Sequence, residues 1–189
     1  MKKVFLFIIA ILFVTSTFAQ NEKKQGKIYV EAGYGFINPI SNDANTFGVI
    51  NVGVGCYFNT KWGVGINVGY APNRGGNASN LDYDRAYYAS AQLLYKLSDF
   101  SDWLEPTFAF GVGYASIESN YLQLMDNKWM DDKCQESAIT PCLATDFAVN
   151  LTKSHNFQIV IRPEYTWVIS TSEGGWHCFG LWGKLRFHF

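Results

Sequence analysis

Apolar side chains occupy every second position over long stretches of this chain. In the last stretch, GLWGKLRFHF (180–189), Leu181, Leu185, Phe187 and Phe189 share one face, and polar or charged side chains dominate the other. Strict alternation is typical of a β-strand whose two faces meet different surroundings, because successive side chains of a strand point to opposite sides. The pattern therefore predicts a strand with one apolar face.

Eight stretches of this kind predict eight strands. They cover residues 27–37, 47–59, 62–71, 86–97, 104–118, 140–153, 156–169 and 178–189. Each is at least as long as a tilted strand that crosses a membrane, which needs roughly 9–11 residues. Pro163 lies within the seventh stretch and predicts a bulge, because proline cannot donate to a ladder.

The connections between these strands alternate in length. Short connections fall at 59–61, 98–102 and 153–156, and longer polar ones at 38–46, 72–85, 119–137 and 170–177. Barrels of bacterial outer membranes have short periplasmic turns and longer extracellular loops. The fold class predicted is therefore all-β: an eight-stranded antiparallel up-and-down transmembrane β-barrel. Residues 72–85 and 119–137 are expected to face the cell exterior.

The second face of the strands is rich in glycine rather than charge. Ten of the 17 glycines fall on it: Gly33, Gly35, Gly53, Gly55, Gly63, Gly65, Gly69, Gly111, Gly113 and Gly180. The large side chains predicted to lie among them are Tyr29, Tyr57, Tyr88 and Trp182. Small and large residues alternate in this way inside a narrow barrel, where side chains fill the lumen. The apolar face of each strand is then expected to point outward and contact lipid.

Composition agrees with an apolar exterior and excludes one class of partner. Aromatic residues make up 17% of the chain and charged residues only 16%, against the usual quarter. The aromatic residues cluster near strand ends, as expected for rings at lipid headgroup level. The formal net charge of −1 offers no basic footprint for nucleic acid.

The first residues have the character of an export signal. Lys2 and Lys3 precede the apolar run 4–14, and the small residues Thr17 and Ala19 follow it. This arrangement predicts a signal peptide over 1–19 that is cleaved before Gln20, and a barrel domain over 20–189. The apolar run is too short for a transmembrane helix, which needs about 20 residues.

With its signal peptide, strand pattern and terminal strand, the chain resembles the OmpA/OmpX-type eight-stranded barrels of the outer membrane, a porin-like family of Gram-negative bacteria. The resemblance implies a cell outer membrane location amid lipid and lipopolysaccharide. It also implies that the barrel-assembly machinery recognises the last strand through Leu185, Phe187 and Phe189. It implies no cofactor.

By strand phase, charged side chains point into the lumen in equal numbers of acids and bases. They are Glu31, Lys96, Glu105, Asp146, Arg162, Glu164, Lys184 and Arg186. Hairpin register predicts four pairs, Lys96 with Glu105, Asp146 with Arg162, Glu164 with Lys184 and Arg186 with Glu31. Because buried charges must be paired, this set predicts a plugged lumen.

Other chemistry has weaker signals, and no catalytic, metal or cofactor site is predicted. His177 with Ser170, Ser172 and Glu173 is the one candidate set for a lipid-modifying enzyme. The acids Asp126, Asp131, Asp132 and Glu136 lack the spacing of a calcium loop. Cys134, Cys142 and Cys178 fall near the exterior, where a disulfide is allowed, and the sequence does not choose a pairing.

These patterns predict a non-enzymatic barrel with a structural or surface-interaction role through its extracellular loops. The ligand of those loops, if there is one, is not indicated by the sequence. Three alternatives stay open: a narrow channel for small or hydrophobic solutes, a lipid A-modifying outer-membrane enzyme, and a soluble lipocalin-like barrel.

Overall fold

Eight strands form a closed antiparallel barrel. The structure, a computed structural model, describes residues 28–40, 46–72, 83–97, 101–125, 128–170 and 175–189. The strands are β1 (Ile28–Pro39), β2 (Phe47–Tyr57), β3 (Trp62–Ala71), β4 (Tyr83–Lys96), β5 (Leu104–Met125), β6 (Lys128–Asn150), β7 (Phe157–Ser170) and β8 (Gly175–His188). Each pairs with the next, and β8 pairs with β1. The predicted fold class is confirmed.

The alternation of side chains separates an apolar exterior from a filled interior. Val52, Phe110 and Leu181 point outward and are 48%, 51% and 50% exposed, whereas Tyr29 and Trp182 point inward and are buried. A soluble barrel would show the opposite arrangement, with polar groups outside. The described residues contain no helix that is long and apolar enough to cross a membrane.

The two ends of the barrel differ. The connections 58–61 and 151–156, the start of β1 and the end of β8 lie at one end, here called the turn end. The opposite end, where β1, β3, β5 and β7 finish, is called the loop end. In the connection 58–61, the side chain of Asn59 accepts hydrogen bonds from the amides of Lys61 and Trp62, at 2.8 and 2.7 Å.

The prediction of a loop over 119–137 is wrong. β5 reaches Met125 and β6 begins at Lys128, and the two strands stay paired up to these residues. β5 pairs with β4 only as far as Ser119, and β6 pairs with β7 only from Ala138 onward. The ladder of β5 and β6 therefore continues past its neighbours. The sequence did not reveal this hairpin, because polar and charged residues interrupt any apolar alternation over 119–137.

The predicted bulge at Pro163 is also wrong. β7 keeps a constant register with β6, from Ala138 opposite Ser170 to Asn150 opposite Gln158. The described ladder with β6 lacks the pairs at Arg162 and Pro163, as it also does at Trp167 and Val168, while pairing with β8 runs through all four residues. Proline has no N–H to donate to the ladder, and the chain accommodates it by leaving out ladder pairs rather than by inserting a residue.

Glycines and aromatic rings interlock inside the barrel. A Cβ atom at Gly55 would lie 2.5 Å from the ring of Tyr29, and Cβ atoms at Gly35 and Gly69 would overlap the rings of Trp182 and Tyr88. The rings therefore occupy the space that neighbouring glycines leave. Buried Tyr29, Tyr57 and Leu94 cluster on one side of the interior, and Val49, Ala71 and Trp182 on another.

Candidate functional site

Five buried charges meet in the middle of the lumen. Glu31 on β1, Asp146 on β6, Arg162 on β7, and Lys184 and Arg186 on β8 are each at most 4% exposed. The alternation of each strand turns these positions inward, and the register across the closing seam sets Glu31 directly opposite Arg186. The fold therefore brings residues from both ends of the sequence into one cluster, here called the lumen network.

The two carboxylates share the three cations. Glu31 accepts hydrogen bonds from Lys184 Nζ at 2.7 Å and from Arg186 Nε and Nη2 at 2.8 and 2.6 Å. Asp146 accepts from Arg162 through Nε and Nη2, the latter at 3.0 Å, and from Arg186 Nη2. Arg186 therefore bridges both carboxylates, and its guanidinium also lies 4.5 Å from the ring centroid of Tyr29.

Neutral amides extend the network to the far wall of the barrel. Gln92 Oε1 on β4 accepts from Arg162 Nη1 at 3.0 Å and from Asn67 Nδ2 at 3.1 Å. Asn67 Oδ1 on β3 accepts from Lys184 Nζ at 3.2 Å. Side chains from β1, β3, β4, β6, β7 and β8 thus meet across the lumen. Neither amide was predicted from the sequence to join the charges, although the inward phase of both marks them as lumen residues.

A second polar cluster lies at the turn end. Glu105 pairs with Lys96, and its carboxylate lies 3.0 Å from His155 Nδ1. Asn150 and Gln158 donate to the same carboxylate at 3.1 and 3.2 Å. This cluster is more exposed than the lumen network, with Lys96 at 29% and Glu105 at 15%.

Of the four predicted charge pairs, the structure brings together Lys96 with Glu105, Asp146 with Arg162, and Arg186 with Glu31. It does not bring Glu164 to Lys184. The register of β7 with β8 sets Glu164 opposite Gly180 and sets Lys184 opposite Val160. Lys184 instead binds Glu31, and Glu164 approaches Arg162 Nη1 at 3.9 Å.

A cavity of about 80 Å³ lies between the lumen network and the loop end. Its wall includes Val49, Ala71, Tyr88, Glu164 and Val168. This space is here called the loop-end cavity. It is partly open, and its wall carries far more apolar than polar surface.

The residues proposed for lipid-modifying chemistry do not form a site in the described part of the chain. His177 is exposed on the outer face, hydrogen-bonded to Tyr165 at 2.5 Å and stacked near Tyr165 and Trp167. Ser170 is buried on the opposite, inner face. Ser172 and Glu173 lie outside the described residues, as do Asp126 and the side chains of Asp131, Asp132 and Glu136.

The register holds apart two of the cysteines for which the sequence allows a disulfide. Thr166 lies between Cys142 and Cys178 in one row across β6, β7 and β8. Two strand spacings separate their Cα atoms by roughly 9–10 Å, beyond the ~7 Å that a disulfide can span. The backbone of Cys134 lies opposite Ser119, well along β6 from Cys142, and its side chain is not described.

The last strand presents the predicted assembly face outward. Leu185, Phe187 and Phe189 are 52%, 42% and 74% exposed. The rings of Phe187 and Phe189 meet edge to face, with centroids 5.0 Å apart. These side chains are therefore available on the outer surface next to the seam with β1.

The sequence matches the family model of the outer membrane protein beta-barrel domain over residues 5–140. A search of the curated proteins gives no significant match.

Solved structures show the same fold at low sequence identity. Neisserial surface protein A has a TM-score of 0.68 and 13% identity, over 87% of this chain and 100% of that one. A major outer membrane protein of Thermus thermophilus has a TM-score of 0.61 and 15% identity, over 87% and 99%. Ail, the attachment invasion locus protein of Yersinia pestis, in complex with the heparin analogue sucrose octasulfate, has a TM-score of 0.54 and 15% identity, over 86% and 99%.

Proposed function

Since the chain belongs to the outer membrane protein beta-barrel domain family, and therefore to the outer membrane, we propose that it is a closed, non-enzymatic scaffold that presents its loop end to the outside of the cell. The lumen network is the observation that carries this proposal. It joins six of the eight strands through ion pairs and amide hydrogen bonds.

The lumen network argues against the channel alternative. The interior of an eight-stranded barrel is just wide enough for side chains to fill. Here the filling side chains include five charges at most 4% exposed. A solute that crossed this level would have to separate these pairs, and separated charges in a dry interior are costly. The barrel therefore serves as a stable support for its loops rather than as a path for solutes.

The hairpin of β5 and β6 supports a role at the cell surface. Its ladder continues past β4 and β7 to Met125 and Lys128, so among the described residues it extends farthest at the loop end. Specificity in such folds resides in the loops that a rigid scaffold holds. Ail was solved in complex with the heparin analogue sucrose octasulfate, and we expect this chain also to bind an extracellular ligand, at its loop end.

The proposal includes a route to the membrane. The signal peptide 1–19 is removed before Gln20, and the barrel domain 20–189 inserts with its turn end in the periplasm. The assembly machinery recognises Leu185, Phe187 and Phe189, which lie exposed on the outer face. Lipid and lipopolysaccharide then cover the apolar exterior.

Two measurements test the scaffold proposal. The purified protein in planar bilayers should show no large, steady conductance, and porin-sized open events would favour the channel alternative instead. Cells that display the full barrel should bind a panel of host proteins and polysaccharides differently from cells that display a variant with residues 120–133 replaced by a tight turn. Equal binding by both would remove the hairpin from the proposal.

A further inference from the structure

The outer wall of the barrel is indented across β1 to β4. Val52, Val64 and Val68 point outward and are 48%, 41% and 45% exposed, as expected for a face that meets lipid. Val54 and Ile66 also point outward and lie opposite each other on β2 and β3, yet each is only partly exposed. The wall is therefore concave at this row, and the indentation is here called the outer groove.

The outer groove has the size of a ligand site. Its volume is about 450 Å³, within the range of roughly 300–1,000 Å³ for small-molecule sites. Its wall includes Ile28, Cys56, Ala91 and Leu93, and none of the described residues that line it is charged. The groove crosses four strands, and three strand spacings of about 4.8 Å give it a length of roughly 14 Å.

Small residues at fixed positions of the ladder make this groove. Gly55 on β2 lies directly opposite Gly65 on β3, and both glycines line the groove. On the inner side of the same wall, Cβ atoms at these glycines would lie 2.5 and 2.8 Å from the side chain of Tyr29. On the outer side, Ala91 on β4 lies opposite Ile66, and its methyl group is much shorter than that side chain. The groove therefore follows from residue size.

An aromatic pair and a lysine border the groove on the side of the turn end. Trp62 lies opposite Tyr95, with ring centroids 4.7 Å apart. Lys61 comes directly before Trp62, is exposed, and forms no ion pair within the described part of the chain. Such rings lie at the level of lipid headgroups, where a lysine attracts an anionic group. Lys61 is three residues from Val64 in the groove wall, roughly 10 Å along the strand.

We propose that the outer groove binds one acyl chain of a glycerophospholipid, whose phosphate group lies at Lys61. The inference rests on the orientation proposed above, in which the turn end lies on the periplasmic side of the membrane. The uncharged wall fits a hydrocarbon chain, and its length of roughly 14 Å is close to half of a hydrocarbon core about 30 Å thick, which is the depth of one leaflet. Within a bilayer, close packing rather than the hydrophobic effect favours association, so a concave wall retains a chain better than the flat wall beside it.

The test is photo-crosslinking in vesicles. The purified barrel is folded into phosphatidylcholine vesicles that contain a small fraction of phosphatidylglycerol with a diazirine on one acyl chain, and the labelled residues are located by mass spectrometry. Labels should concentrate on residues 54–66 and 91–93. An even spread of labels over all outward positions would overturn the proposal. So would a Cys56–Cys56 cross-link between two barrels under oxidation, because it would assign the groove to a second copy.

This result is separable from the scaffold proposal. The vesicles carry phospholipid in both leaflets, so labelling does not depend on the direction in which the barrel inserts. A barrel that shows large conductance but is labelled in the groove would keep this inference and refute the scaffold. A closed barrel that is labelled evenly would refute this inference and keep the scaffold.

Variants separate the groove from the headgroup contact. Ala91→Phe fills the groove and should reduce its labelling to that of the surrounding wall. Ala32→Phe lies on the same outer face outside the groove and should leave its labelling unchanged. Lys61→Gln should lower the labelling about fivefold, as expected for one basic side chain near an anionic headgroup, whereas Lys153→Gln, in the other short connection at the turn end, should not. With folding checked by gel mobility, equal labelling in the two alanine variants would refute the groove, and equal labelling in the two lysine variants would refute the headgroup contact.

Discussion

Replacing Asp146 with alanine should destabilise the barrel more than any exposed charge can. The side chain is fully buried and accepts two hydrogen bonds from Arg162 and one from Arg186. The variant removes the carboxylate that accepts hydrogen bonds from Arg162, and leaves that guanidinium with Gln92 and with Glu164 at 3.9 Å. The free energy of unfolding should therefore fall as it does when a buried ion pair loses one partner.

The magnitude follows from what remains after the substitution. Three hydrogen bonds to charged groups, at about 1.5–3 kcal/mol each, give an upper bound. Arg186 keeps Glu31, so the loss falls nearer to the roughly 3–5 kcal/mol typical of a buried pair that loses one partner. At about 2–4 °C per kcal/mol for a chain of this size, the unfolding midpoint should fall by roughly 6–20 °C.

The assay is thermal unfolding in detergent, followed by tryptophan fluorescence and by the mobility of unheated samples on gels. Glu118→Ala is the matched control, because Glu118 pairs with Arg85 on the exposed surface and such pairs contribute little. Asp146→Asn should fall between the two, since it keeps the volume and one acceptor oxygen. A midpoint for Asp146→Ala equal to that of the control would show that the lumen charges are hydrated rather than paired.

The other predictions concern assembly, packing and orientation. Phe189→Asp should lower the amount of folded protein in the outer membrane without reducing export, and normal levels in fractionated membranes would contradict this. Gly35→Val should destabilise the barrel by about 1–3 kcal/mol, because its Cβ overlaps a buried indole ring, while Gly183→Ala, whose Cβ meets nothing closer than 4.0 Å, should not. A protease site placed within 119–137 should be cut on intact cells and one within 98–102 should not, and the reverse result would invert the barrel.

The phase of side chains was predictable because two different media surround each strand. A strand side chain has a period of two, so lipid on one face and a packed lumen on the other leave an alternation that fixes which residues point inward. Asp146, Arg162 and Arg186 could be assigned to the lumen on that basis alone. The turns at 59–61 and 153–156 were short enough to constrain register, which is why Asp146 and Arg162 could be paired.

The parts of the structure that could not be predicted depend on features that leave no periodic signal in the sequence. The length of the β5–β6 hairpin could not be predicted because residues 119–137 carry no apolar alternation. The partner of Lys184 depended on the register of β7 with β8, which the connection of 171–174 did not reveal. The absence of a bulge at Pro163 reflects ladder pairs that are omitted, a choice that local sequence does not encode.

The ion pairs of Glu31 tie the closing of the barrel to the neutralisation of its charges. Glu31 lies on the first strand, and its partners Lys184 and Arg186 lie on the last, 153 and 155 residues away. No hairpin along the chain can form these bonds early, because they exist only once β8 meets β1. A sheet that has not yet closed therefore leaves Glu31 without a cation at one edge and, at the other, Lys184 without its carboxylate and Arg186 with Asp146 alone. The pairing of β8 with β1 supplies these missing partners in one step. Intermediates in which this pairing is incomplete are therefore destabilised relative to the closed barrel.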